Sequence, residues 1–124
     1  MRLYVILLLA LHLSGCALVF PNQNKILQIR GVVINELGAP SVKAQIIVWY
    51  DPTELQFIAG AGLPALLAIV PAASASTDSE GKFFCKLQSF SKYRIHIYDS
   101  SSRRSCDAFV KRRDLGDELR FILK

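Results

Sequence analysis

Read for alternation, the chain divides into short strands separated by turn signals. Ile26 to Ile34 (ILQIRGVVI) is rich in β-branched residues and ends at the polar run Asn35-Glu36-Leu37-Gly38. Pro40 opens the next rise. Val42 to Tyr50 (VKAQIIVWY) places Val42, Ala44 and Ile46 on one face and Lys43 and Gln45 on the other, and Asp51-Pro52 ends it. Thr77-Asp78-Ser79-Glu80-Gly81 is a tight polar turn in which glycine can take a positive φ without steric cost. Lys82 to Gln88 follows, with Phe83, Cys85 and Leu87 inward and Phe84 and Lys86 outward. Tyr93 to Tyr98 alternates Tyr93, Ile95 and Ile97 against Arg94, His96 and Tyr98, and Glu118 to Leu123 is a last short strand. This period of two predicts strands. No helical period is sustained outside the N-terminal segment and one apolar insert, so the fold class expected is all-β, a sandwich.

The N-terminus reads as an address. Arg2 supplies a positive charge, and Leu3 to Leu13 form an apolar run broken only by His12. Such a run falls short of the roughly 20 residues a spanning helix needs. It ends in Leu13-Ser14-Gly15-Cys16, which resembles the lipobox of bacterial lipoproteins at every position. The resemblance implies that residues 1–15 form a signal helix removed on maturation and that Cys16 is lipidated, with palmitate among its acyl groups. The residue after the cysteine is Ala17, not aspartate. In a Gram-negative host this implies the outer membrane, with the protein facing the periplasm. Residues 16–25, with Pro21, Asn22, Gln23 and Asn24, read as a lipidated tether whose full extension is only about 30 Å. Residues 26–124 form the sandwich domain.

The order of features within that domain resembles the carboxypeptidase regulatory-like family, a transthyretin-type sandwich. The residues that carry the likeness are Gly31, Val33, Gly38, Pro40, Ala44, Ile46, Thr77, Asp78, Gly81, Phe83, Tyr93, Ile95 and Ile97. They span most of the mature chain, and they are turn and core positions rather than catalytic ones. The likeness implies a small transthyretin-like (prealbumin-like) β-sandwich of about seven strands and no particular activity.

One segment departs from the family pattern. The insert of residues 55–76 (LQFIAGAGLPALLAIVPAASAS) carries no charge. Its length would allow a membrane span, but Gly60, Gly62, Pro64 and Pro71 interrupt it. Two readings stand. The insert supplies a buried strand and a short core helix at Pro64 to Val70, or it is an exposed apolar lobe that touches lipid or a partner through Leu63, Leu66, Leu67, Ile69 and Val70.

Composition narrows the function classes. A 52% hydrophobic chain is not a disordered tail. The net charge of +5, one unit of which leaves with Arg2, suits loose attraction to anionic surfaces and falls short of a nucleic-acid signature. If Cys16 carries lipid, Cys85 and Cys106 remain as a possible disulfide for an oxidising periplasm. The bond would close a loop of about 20 residues, worth up to roughly 3 kcal/mol. The alternative is two separate thiols, with Cys85 in the core.

Catalytic chemistry is sparse. His96 is the single histidine of the mature chain, on the face opposite the core beside Arg94 and Tyr98. There is no Gly-x-Ser-x-Gly elbow, no evident Cys–His pair, no zinc spacing and no phosphate-cradling glycine loop. Transthyretin-related hydrolases of purine breakdown carry several histidines and a terminal Tyr-Arg-Gly-Ser, whereas this chain ends Arg120-Phe121-Ile122-Leu123-Lys124. No catalytic residue, cofactor, metal or nucleic-acid partner is therefore expected. The expectation is a non-catalytic, membrane-anchored interaction or assembly module. The alternatives are a component of a multiprotein envelope or secretion machine and a glycan-binding module that stacks sugars on Trp49, Tyr50 and Tyr98. Arg103, Arg104, Lys111, Arg112 and Arg113 form a basic edge, partly paired by Asp107, Asp114 and Asp117, that suits lipid headgroups or an acidic partner.

Overall fold

A computed structural model describes residues 22–52 and 69–124. The strands are β1 (Asn22–Ile34), β2 (Gln45–Tyr50), β3 (Ala73–Ser76), β4 (Lys82–Ser89), β5 (Lys92–Asp99), β6 (Arg104–Lys111) and β7 (Glu118–Ile122). They build a three-stranded sheet ordered β4-β1-β7 and a four-stranded sheet ordered β3-β2-β5-β6. The described residues form a small all-β sandwich of seven strands; the alternation predicts the class and five of these strands, β1, β2, β4, β5 and β7. Cys16 and the leader lie outside the described residues, as does the insert up to residue 68.

The inward residues of the two sheets make the core. Ile29, Val33, Ile46, Val48, Tyr93, Ile95 and Ile97 are fully buried, and Phe83, Cys85 and Leu87 join them from β4. The inward alternation expected for β4 and β5 holds at every position. β-Branched side chains pack well on such a pleated, half-buried surface. Gly31 makes room where β1 is most crowded. A Cβ there would lie 2.6 Å from Phe83 Cε1 and 3.0 Å from Phe121 Cε2, so the two rings occupy the space its missing side chain leaves.

Two turns of one design close the same end of the sandwich. Asn35 Oδ1 accepts the N–H groups of Leu37 and Ala39, and Asp78 Oδ1 accepts those of Glu80 and Lys82, all at 2.9 Å. In each turn the glycine three residues on, Gly38 or Gly81, has a positive φ and donates its N–H to the carbonyl of Asn35 or Asp78. These side-chain acceptors substitute for strand partners the turn backbone lacks.

Three sequence expectations need correction. β1 begins at Asn22, paired with Ser89 across a register shift, so residues 22–25 of the expected tether (16–25) are strand. Val42 is not inward but exposed, because Lys43 takes φ 58° and breaks the alternation before β2 starts at Gln45. The Cys85–Cys106 disulfide is not formed, and both thiols are free. β4 flanks β3 at one lateral edge, while β6 is the far edge of the four-stranded sheet. Three strand spacings, about 14 Å, separate β6 from β3, whereas a disulfide needs Cα atoms within about 7 Å. Burial raises the Cys85 thiol to about 11 and keeps it protonated. Cys106 is raised by burial and by the neighbouring Asp107 carboxylate.

Two strands were not distinguished in the sequence, β3 and β6. Both are sheet edges. β3 is four residues long, and β6 carries Arg104, Asp107 and Lys111. Short length and edge charge both discourage pairing with another chain.

Candidate functional site

The four-stranded sheet turns its second face to solvent, and register lays out the side chains there in rows. Trp49 stands opposite Arg94, and Arg94 opposite Phe109. The next row holds Ile47, His96 and Asp107, and a third holds Gln45, Tyr98 and Ser105. Because strands alternate, these residues share a face as strictly as Ile46, Ile95 and Ala108 share the other.

Cations and aromatic rings interlock on this face. The Arg94 guanidinium lies 4.7 Å from the centre of the Trp49 ring, and Lys92 Nζ lies 4.5 Å from that of Phe109. Lys92 also pairs with Asp51 at 2.9 Å. Such contacts contribute about 0.5–1 kcal/mol each at exposed sites. Phe109 remains 61% exposed, which is unusual for a phenylalanine with a core within reach. Trp49 Nε1 donates to the carbonyl of Ile69 at 3.3 Å, which brings the exposed Ile69 and Val70 beside the same face.

His96 points outward as expected, and its Nδ1 meets Asp107 Oδ1 at 2.8 Å. The pair is solvent-facing, and the cross-strand neighbours of His96 are Ile47 and Asp107. Among the described residues no group of three histidines, cysteines or acids could hold a metal ion.

The aromatic set proposed for stacking splits. Trp49 and Tyr98 lie on the outer face. Tyr50 turns the other way, packing on Phe90 at 5.2 Å and Tyr93 at 6.0 Å between ring centres. The basic edge splits as well. Arg103 and Arg104 lie in and just after the β5–β6 turn, with Arg104 3.7 Å from Glu36, whereas Lys111, Arg112 and Arg113 lie at the opposite end. Asp114 contacts Arg113 at 3.8 Å, while Asp107 serves His96. Ile69 and Val70 are exposed, as the lobe reading requires; Leu63, Leu66 and Leu67 lie outside the described residues. Sequence reasoning missed Phe109 and Lys92. The signal was present as the alternation of Cys106, Ala108 and Val110 against Asp107, Phe109 and Lys111, but small or charged residues at most positions mute it.

A second polar centre lies at the closed end. The Ser41 hydroxyl donates to Asp99 Oδ2 at 2.8 Å, and Asp99 Oδ1 accepts the hydroxyl and N–H of Ser101 and the N–H of Ser102. The Ser101 hydroxyl is the chief cause that holds the carboxyl down to about 2, with Ser41 helping and burial opposing. A cavity of about 520 Å³ adjoins it, lined also by Asn35, Glu36, Leu37 and Arg104. Oδ1 is engaged by the β5–β6 turn and Oδ2 by Ser41, so Asp99 fastens the two loops together.

No protein-family model matches the chain, and a search of the curated proteins finds no relative.

Proposed function

We propose that this chain is a non-catalytic lipoprotein, anchored through Cys16 to the periplasmic face of the outer membrane and serving as an interaction module. The observation that carries the reading is the pairing of a lipobox, Leu13 to Cys16, with a compact β body that starts at Asn22 and presents an aromatic and cationic sheet face. Acyl chains on one cysteine make attachment stable, since each buried methylene adds about 0.8 kcal/mol. The transthyretin-like placement of the turn residues belongs to the same reading and supplies a rigid scaffold without chemistry of its own. Partners are the membrane and an envelope protein, alone or within a larger machine. No helix among the described residues is long and apolar enough to cross a membrane, so the reading assigns attachment to the anchor.

Sugar stacking is the weaker reading. Tyr50 is turned inward, and Arg94 already covers a face of the Trp49 ring.

Fractionation of cells that express the full chain tests the anchor. The wild-type protein is expected in the membrane fraction, resistant to high salt, and Cys16→Ser is expected to lose that salt-resistant fraction or to accumulate with its leader uncut. A Cys16→Ser chain cleaved and held in the membrane like the wild type would contradict the reading.

A further inference from the structure

The sandwich has two unlike ends. At one, the turns of Asn35 and Asp78 and the β5–β6 turn come together, with mixed charges that pair Glu36 with Arg104 and Glu80 with Lys82. At the other, β1 begins, β2 ends, and the described chain resumes at Ile69. The register places the last residues of β6 beside the first of β5, so Lys111 stands opposite Lys92 and the adjoining Arg112 donates its N–H to the Ser91 carbonyl.

Among the described residues, Lys92, Lys111, Arg112 and Arg113 gather at this second end, where Asp51 pairs with Lys92 and Asp114 with Arg113. Lys111 stands opposite Lys92 in register, where like charges oppose pairing, and the Lys92 charge is offset by Asp51 at 2.9 Å. Ser91, Lys111, Arg112 and Arg113 line a shallow, open depression of the surface. Phe109 stands on β6 beside this basic patch, and Trp49 lies two strands across the same face with Ile69 and Val70 next to it; Phe109, Ile69 and Val70 are each at least 59% exposed. Amphipathic aromatics beside basic residues match the chemistry of a bilayer surface, where indole rings sit at headgroup depth and cations meet phosphates.

We infer that this end of the sandwich is a docking surface for an anionic phospholipid bilayer. The position of the anchor, which rests on the function proposed above, points the same way. From Cys16 to Asn22 the chain reaches at most about 20 Å when extended, so the end at which β1 starts is the one held against the membrane. Lipid phosphates then lie within reach of Lys111, Arg112 and Arg113, and the closed end with its cavity beside Asp99 faces away.

The experiment uses Trp49, the chain's single tryptophan. The full mature protein is reconstituted into vesicles of phosphatidylethanolamine and phosphatidylglycerol that carry a spin label near the headgroup. Trp49 fluorescence is expected to be quenched there and not in phosphatidylcholine vesicles with the same label. Quenching should fall in about 1 M salt, where the screening length shrinks to about 3 Å. A basic residue near an anionic surface contributes about fivefold to binding, so Lys111→Glu/Arg112→Glu/Arg113→Glu should lower the docked-to-undocked ratio by at least about a hundredfold. Arg112→Lys/Arg113→Lys should keep it, and an unchanged far-ultraviolet β signal certifies the fold of each variant. Quenching that is absent from anionic vesicles, equal in phosphatidylcholine, or unmoved by charge reversal overturns the inference and leaves the face to a protein partner. The acyl mass on Cys16 in the same preparation reports separately on the anchor. An acylated chain with unquenched Trp49 refutes docking alone, and an unacylated chain with quenched Trp49 refutes the anchor alone.

Discussion

Gly81→Ala is expected to destabilise the sandwich by about 2–4 kcal/mol, with a matching fall in the urea midpoint and an unchanged slope. Two effects add. Gly81 has φ 76°, a region that costs an L side chain about 1–2 kcal/mol. A Cβ would also come within 2.5 Å of the Val33 carbonyl oxygen and 3.0 Å of Pro40 Cβ. The carbonyl belongs to the backbone of β1 and accepts the N–H of Ser41, while the Val33 N–H is held by the Gly81 carbonyl at 2.8 Å. Relief therefore requires the β1 end and the Asp78 turn to part. Gly38 provides the internal comparison, since its φ is 83° but an added Cβ meets nothing within 4 Å. Gly38→Ala should cost only the conformational part, about 1–2 kcal/mol. Equal midpoints for the two variants would show that the Gly81 contact is not tight.

Thr77→Val is the other large effect. The side chains are nearly equal in shape, and Thr77 is 5% exposed. Its hydroxyl accepts the Ala44 N–H at 2.8 Å and donates to the Ser41 carbonyl at 2.6 Å, spanning the segment where Lys43 reverses the chain. Valine removes both partners while keeping them buried, and each orphaned backbone group costs about 1–3 kcal/mol. The expected loss is about 2–4 kcal/mol, or roughly 10–20 °C in melting temperature for a domain of this size. Thr77→Ser, which keeps the hydroxyl, should recover most of it. A Thr77→Val protein as stable as the wild type would mean the hydroxyl bonds are offset by water reaching Ala44 and Ser41.

Both residues belong to the stretch Thr77 to Gly81, which was among the most legible in the sequence. Turn chemistry is local. A carboxylate or amide followed three residues later by glycine forms the same hydrogen bonds wherever it occurs, and here it occurs at Asn35 and at Asp78. β4 and β5 were equally legible, because a strand whose two sheet faces differ in polarity writes that difference into alternate residues. The pattern failed where local geometry or composition removed it. At Val42 a single left-handed residue shifted the face. In β3, Ala-Ser-Ala-Ser offers little contrast, and in β6 the exposed Phe109 carries the wrong polarity for an outward position.

The candidate face was partly written in the same alternation. Trp49 follows Gln45 and Ile47 outward, and Tyr50 follows Ile46 and Val48 inward, so the two aromatics could have been separated by period alone. Sheet order was not accessible in that way. Only the placement of β4 and β6 at different edges keeps Cys85 from Cys106. Only the pairing of β5 with β6 sets Lys111 opposite Lys92 and sends Arg103 and Arg104 to the opposite end. Long-range neighbours depend on topology, which residue periodicity does not encode.

The lipid anchor is the claim on which placement, orientation and function all rest, and the mass of the mature N-terminus in protein purified from membranes tests it most directly. The account expects a chain that begins at Cys16 and carries the added mass of its acyl groups on that residue. An unmodified Cys16 with residues 1–15 still attached would contradict it.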